Sequence, residues 1–202
     1  MSNKIVTDRK YLSRVCKTVP SVEEGERIAA ELFKELSTNQ HGIGLSANQI
    51  GIQKRVCAIN VKEPIYLINP EITETEGDTT FVEGCLSFPG QSVRTTRAQH
   101  ITVTADNYDE PITFGPNSDD AETKQLELLE SVCVQHEIDH LNGITMFDKE
   151  FKQEPIINGV NAPRKIGRNE KVVITNGKET RMLKFKKAES LIDSGDWELT
   201  EV

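Results

Sequence analysis

The sequence predicts an α+β fold, and three observations carry that prediction. Apolar residues recur at helical spacing over 21–38 and again over 120–141, while the stretch 65–114 between them is patterned as strands throughout. Helices kept apart from a run of strands, rather than alternating with them, mark this class. At 202 residues the chain is long enough to bury a sizeable core, and its composition changes beyond Phe151. The expected division is a catalytic-sized domain over 1–150 and a C-terminal extension over 151–202.

In order, Ser21-Val22-Glu23-Glu24 reads as a capping box opening the first helix, with Ile28, Leu32, Phe33 and Leu36 facing the core. Residues 42–51 hold closely spaced glycines, which let a backbone approach a ligand or another strand. They are no dinucleotide fingerprint, because no strand precedes them and no helix follows. Gln49 is the notable residue there, an amide able to donate to a carbonyl oxygen. Strands are expected over 55–60, 65–69, 79–82, 101–106 and 112–114, then a loop over 115–120. In the second helix Leu126, Leu129, Cys133, His136 and His140 follow one another at 3, 4, 3 and 4 residues, which places both histidines on the buried face. Gly143 closes it. Further on, a loop is expected over 158–164. A hairpin with a type I′ turn at Asn176-Gly177 follows, then a short helix over 187–193 stopped by Gly195.

Composition excludes several classes. No apolar run approaches the roughly 18 residues of a membrane span, and the start lacks the apolar stretch of a secretory signal. Four cysteines are scattered without a disulfide-framework spacing, so a reducing compartment, the cytoplasm, is expected. A net charge of −8 argues against general nucleic-acid binding and specific DNA recognition. The charge is uneven, however: residues 149–187 carry eleven Lys/Arg against four Glu. Such a stretch suits either a solvated basic surface or local contact with a polyanion.

The chemistry is concentrated in residues 133–143. On a helix, His136 and His140 stack one turn apart and can bind one metal, while Glu137 projects about 100° round and can reach a water polarised by it. This is the H-E-x-x-H arrangement of metallohydrolases. A third protein ligand is needed. The extended H-E-x-x-H-x-x-G-x-x-H form fails, because Met146 stands where its last histidine belongs. A glutamate from a later helix is not supported either, since the downstream segment reads as loop and hairpin. Glu150, Glu154, His41, His100 and the cysteines remain. Among these Cys85 has the best setting, between Gly84 and the turn at Pro89-Gly90, and a thiolate is a strong ligand. Cys16 and Cys57 sit among apolar residues as core fillers, and Cys133 is placed to line a pocket.

Three segments together then resemble one family. Gly42-Ile43-Gly44-Leu45-Ser46-Ala47-Asn48-Gln49, Glu83-Gly84-Cys85-Leu86-Ser87 and Gln135-His136-Glu137-Ile138-Asp139-His140 are similar, in order and separation, to the motifs of peptide deformylases. The resemblance spans residues 1–150. It implies antiparallel sheets packed around a central metal-bearing helix, with Cys85, His136 and His140 as ligands of one divalent ion. Ferrous iron is the expected metal in vivo, with zinc, nickel or cobalt as substitutes. It implies removal of the N-formyl group from the initiator methionine of a new polypeptide, with Glu137 as the base and the Gln49 amide and Leu86 N–H as oxyanion donors. The N-formylmethionyl polypeptide would lie extended beside Gly44 and Gly84, its methionine entering a pocket of Ile43, Glu83, Leu129, Val132 and Cys133.

Some features depart from the family or extend it. Ser46 stands where alanine is common, a small change expected to have little consequence. The 115–124 loop is long. The tail is a basic hairpin with an acidic end rather than a basic helix, and ribosome contact through 149–187 is a hypothesis. Asp139 is a candidate to orient a ligand histidine, Arg97 to pair with Glu83, and Trp197 to anchor the tail. The competing readings are an H-E-x-x-H endopeptidase and a non-catalytic protein with a structural metal.

Overall fold

The computed structural model describes residues 5–39, 41–151, 156–157, 160–161 and 167–201, and the chain divides into two units, Met1–Phe151 and Lys152–Val202. In the first, a single turn, α1 (Arg9–Leu12), precedes α2 (Val22–Leu36). The Ser21 hydroxyl accepts the Glu24 N–H, so the expected cap forms. Ile28, Leu32 and Leu36 then bury one face of α2 against the first sheet.

That sheet is β1 (Gly44–Ser46), β2 (Val56–Asn60) and β3 (Pro64–Ile68), antiparallel in that order. Strand β2 shows how period-two patterning builds two layers. Val56 and Ala58 face α2, whereas Cys57 and Ile59 face the other way, into a core shared with the second sheet. The second sheet is β4 (Glu71–Gly84), β5 (Ser92–Thr104) and β6 (Ile112–Phe114), again antiparallel in that order. The short strands expected over 79–82 and 101–106 are parts of one long β4–β5 hairpin. Its remainder, rich in Glu and Thr, carries little apolar signal, yet the ladder pairs its backbone from Glu71↔Thr104 to Gly84↔Ser92.

Between the sheets runs α3 (Ala121–Leu141), N-capped by Asp120 and ended by Gly143 at φ +73°. Its second half is buried on every side, from Glu130 to Leu141, because Val134, Ile138 and Leu141 meet β2, β3, β5 and β6 together. Leu126, expected on the buried face, is exposed, since it lies before the helix enters the sandwich. The 115–120 loop is held by the Glu127 carboxylate, which accepts the N–H groups of Asn117 (2.7 Å) and Ser118 (2.9 Å).

In the second unit, β7 (Ile156–Ile157) pairs with β8 (Val160–Asn161), so 160–161 are strand where a loop is expected. The rest of that expectation, 158, 159 and 162–164, lies outside the described residues. The hairpin is present as β9 (Lys171–Thr175) and β10 (Thr180–Lys184), followed by α4 (Phe185–Asp193) and β11 (Glu198–Glu201), which adds to β9. The turn is not type I′. Asn176 keeps a negative φ, and its carboxamide oxygen accepts the N–H groups of Lys178 and Glu179, which makes a four-residue connection. Val172, Ile174, Ala188, Ile192 and Trp197 form this unit's own core, with Arg181 over the Trp197 ring at 4.6 Å.

Candidate active site

Helix α3 places His136 and His140 one turn apart with ring centroids 4.9 Å from each other. Cys85 is the first residue after β4, in the turn where Phe88 N–H donates to its carbonyl at 2.9 Å. Its Sγ lies 3.3 Å from His140 Nε2, and one donor atom from each of Cys85, His136 and His140 falls within 4.8 Å of the others. Of the open ligand candidates, the fold therefore selects Cys85. His41 is exposed, His100 Nε2 lies 3.1 Å from the Pro116 carbonyl oxygen, and Glu150 bridges to Thr95. Glu154 lies outside the described residues.

Cys85 and His136 line a cavity of about 580 Å³. Every residue expected around the substrate lines it: Ile43, Gly44, Glu83, Gly84, Leu129, Val132 and Cys133, with Gln49, Leu86 and Glu137. Gly44 is small for a reason. A Cβ there would come within 2.5 Å of Glu137 Oε1 and 2.6 Å of Cys133 Sγ. The Gln49 amide is held at both ends. Its Oε1 accepts from the Ser46 N–H and hydroxyl, each at 2.9 Å, while Nε2 donates to Ser87 Oγ at 3.1 Å and faces Cys85 Sγ at 3.4 Å.

Glu83 is more than pocket wall. Its Oε2 lies 2.7 Å from His136 Nδ1, Arg97 pairs with both its oxygens at 2.6 and 2.9 Å, and Thr95 donates to Oε1. Asp139 touches no ligand histidine. It pairs instead with the far side of the Arg97 guanidinium, because it points from α3 towards β5. Asn48 is the contact to His140 that no spacing pattern signals: its Nδ2 donates to the His140 carbonyl at 2.7 Å. Such buried polar contacts between distant segments leave no periodic trace in sequence.

Burial alone would raise the Glu83 carboxyl, but hydrogen bonds from His136 and Arg97 outweigh it and bring it down to about 2. Burial raises Glu137 to about 7, although His136 and a hydrogen bond from Ser46 pull against it. Burial also drives His140 well down, helped by His136 and Arg97. The thiols of Cys57 and Cys133 are pushed well up, chiefly by burial and then by Glu137.

The residues fit a single metal ion. One thiol and two imidazoles converge, the soft and borderline donors that transition metals take. With Nδ1 of His136 engaged by Glu83, its Nε2 is directed as the ligand atom. Among the described residues Glu137 Oε2 and His140 Nδ1 are buried without a hydrogen-bond partner, an arrangement more typical of a working site than of a core.

Comparison with known proteins converges on one family. A family model described as polypeptide deformylase matches residues 2–155. A peptide deformylase of Hydrogenovibrio crunogenus is 40% identical over 143 residues, covering 68% of this chain and 78% of that protein. One from Hamiltonella defensa is 36% identical over 166 residues, covering 79% and 91%. Among solved structures, a peptide deformylase from Legionella pneumophila superposes with a TM-score of 0.61 at 32% identity, covering 74% of this chain and 86% of that one. No helix among the described residues is long and apolar enough to cross a membrane. With fold, converging donors and relatives in agreement, this chain belongs to the polypeptide deformylase family, hydrolases that remove the formyl group from the N-terminal methionine of new polypeptides.

Proposed function

We propose that Cys85, His136 and His140 hold the metal, that Glu137 is the general base, and that the Gln49 side-chain amide and the Leu86 N–H receive the oxyanion. The observation that carries this is the convergence of the three donors within 4.8 Å, beside a buried Glu137 Oε2 that has no hydrogen-bond partner among the described residues. A divalent cation held by Cys85, His136 and His140 would supply Lewis-acid chemistry, lowering the pKa of water and polarising a carbonyl. Glu137, raised to about 7 by burial, is poised to take a proton from the attacking water near neutral pH and to give it to the departing amine. Gln49 presents N–H rather than oxygen to the cavity, because Ser46 occupies its Oε1. The product is formate and a free methionyl amine.

The peptide lies extended along the edge of β1 that is unpaired among the described residues, and its methionine side chain enters between Ile43, Glu83, Leu129, Val132 and Cys133. Gly84 flanks it on the other side. Intact Gln49 and Glu137 favour this over a structural metal site, which needs neither. Cleavage of formyl-Met-Ala-Ser to formate and an intact free peptide separates it from an endopeptidase. The decisive measurement is formate release by wild type and Glu137→Ala with metal content determined on both. Full metal content and activity below about 1% in the variant is expected, and an active variant overturns the assignment.

The metal in vivo is ferrous iron, and the compartment is the cytoplasm, where thiols stay reduced. Loss of activity in air, regained on reloading with nickel or cobalt, tests the first. The first unit performs the chemistry, and the second makes the ribosome contact. In that unit Lys171 and Lys184 stand opposite each other in register, and the Lys186 N–H donates to the Arg168 carbonyl, which brings the backbone of four basic residues together in two pairs. Co-sedimentation with ribosomes should weaken in Lys171→Glu/Lys184→Glu/Lys186→Glu, and unchanged binding removes the proposal.

A further inference from the structure

Ser46 ends β1 and caps the short turn, Ala47–Ile50, that carries Gln49, and it is completely buried. Its Oγ lies 2.9 Å from Gln49 Oε1 and 3.0 Å from Asn48 Oδ1. One hydroxyl proton thus faces two acceptor oxygens. The Ser46 N–H adds a second donor to Gln49 Oε1 at 2.9 Å. Both donors from one residue grip the oxygen end of the carboxamide, so its NH₂ end is turned toward Ser87, Cys85 and the cavity. Asn48 carries the contact onward to the His140 carbonyl at 2.7 Å. One buried oxygen is therefore shared by the Gln49 carboxamide and the Asn48 amide that braces the helix behind it.

We propose that Ser46 is a positioning residue for deformylation: its hydroxyl holds the Gln49 carboxamide so that the N–H end meets the developing oxyanion. The inference rests on Gln49 being the oxyanion donor. A donor on the amide oxygen also polarises the amide and strengthens its N–H, since hydrogen bonds in a chain reinforce one another. Ser46 does not line the cavity, so the hydroxyl contributes nothing to substrate binding and its effect falls on kcat.

The test measures kcat and KM for formate release from a formylmethionyl tripeptide in wild type, Ser46→Ala, Gln49→Ala and the double variant, with metal content for each. In parallel, the ¹⁵N-labelled Gln49 side-chain amide is followed by NMR in metal-free protein. Ser46→Ala is expected to lower kcat about five- to tenfold, the worth of one net hydrogen bond, with KM and metal content unchanged. It should add nothing in the Gln49→Ala background, and the Gln49 NH₂ signals should broaden. An equal Ser46→Ala loss in both backgrounds, or no loss where Gln49→Ala is itself slow, overturns the inference and leaves the Gln49 assignment standing. A Gln49→Ala enzyme with wild-type kcat removes that assignment and this inference with it.

Discussion

Glu83 Oε2 sits 2.7 Å from His136 Nδ1, with the Arg97 guanidinium clamped on the opposite side of the same carboxylate. A ligand imidazole whose second nitrogen is engaged by a carboxylate is fixed in orientation and made more basic. Glu83→Gln preserves shape but loses the charge. It should weaken metal binding about 10- to 100-fold, read by chelator competition. Unchanged affinity would mean that the contact is only structural.

Arg97 tests the same network from the side of stability. It is buried between Glu83 and Asp139, and Thr95 and Lys149 extend the cluster. Arg97→Met strands two buried carboxylates, which should cost about 3–5 kcal/mol in urea unfolding of the first unit. A loss below about 1 kcal/mol would show that the carboxylates find solvent or other donors.

Gly44→Ala aims a methyl group at Glu137 Oε1 and Cys133 Sγ. Both are side-chain atoms in a tight site, so the fold should survive while the carboxylate is displaced. A loss of activity of about 10²-fold is expected, since displacements near 1 Å have such costs. Normal formate release would show that Glu137 yields without consequence.

Metal removal should be felt as lost stability, because the three proposed ligands come from two segments that a bound ion would tie together. At a thousandfold excess of metal over Kd the linkage is about 4 kcal/mol, on the order of 10 °C in melting temperature. Chelation should remove this increment from wild type and change nothing in His140→Ala. A chelator-insensitive wild type would exclude the site as a tight metal centre.

Asp148 offers a test of pH. Partial burial would raise its carboxyl, but the Thr145 hydroxyl and N–H, then Arg9, outweigh that and hold it below the ordinary value. A carboxyl lowered on folding adds stability above its unfolded pKa, about 4, and loses it as pH falls through the lower folded value. With Arg9 and Asp148 both about half exposed, Asp148→Asn should cost less than about 1 kcal/mol at pH 7, a difference that shrinks as pH falls below the unfolded value and through the lower folded one. A difference that widened on acidification would contradict the pairing.

What the sequence by itself determined was local. Ser21 and Asp120 mark helix starts, and 3-4 spacing puts His136 and His140 on one turn. Alternation in β2 separates residues facing α2 from those facing α3, because side-chain direction follows backbone period within an element. Residue chemistry singled out Cys85 and Gln49 as site candidates, and the motif resemblance gave them their expected roles. Only the tertiary structure decided that Cys85 meets His140 across 55 residues of chain, that Glu83 braces His136 while Asp139 holds Arg97, and that Ser46 is buried with its hydroxyl on Gln49 Oε1. Those contacts join β1, β4, β5 and α3, and no local period encodes which polar groups the packing of sheets on a helix will bring within hydrogen-bond distance.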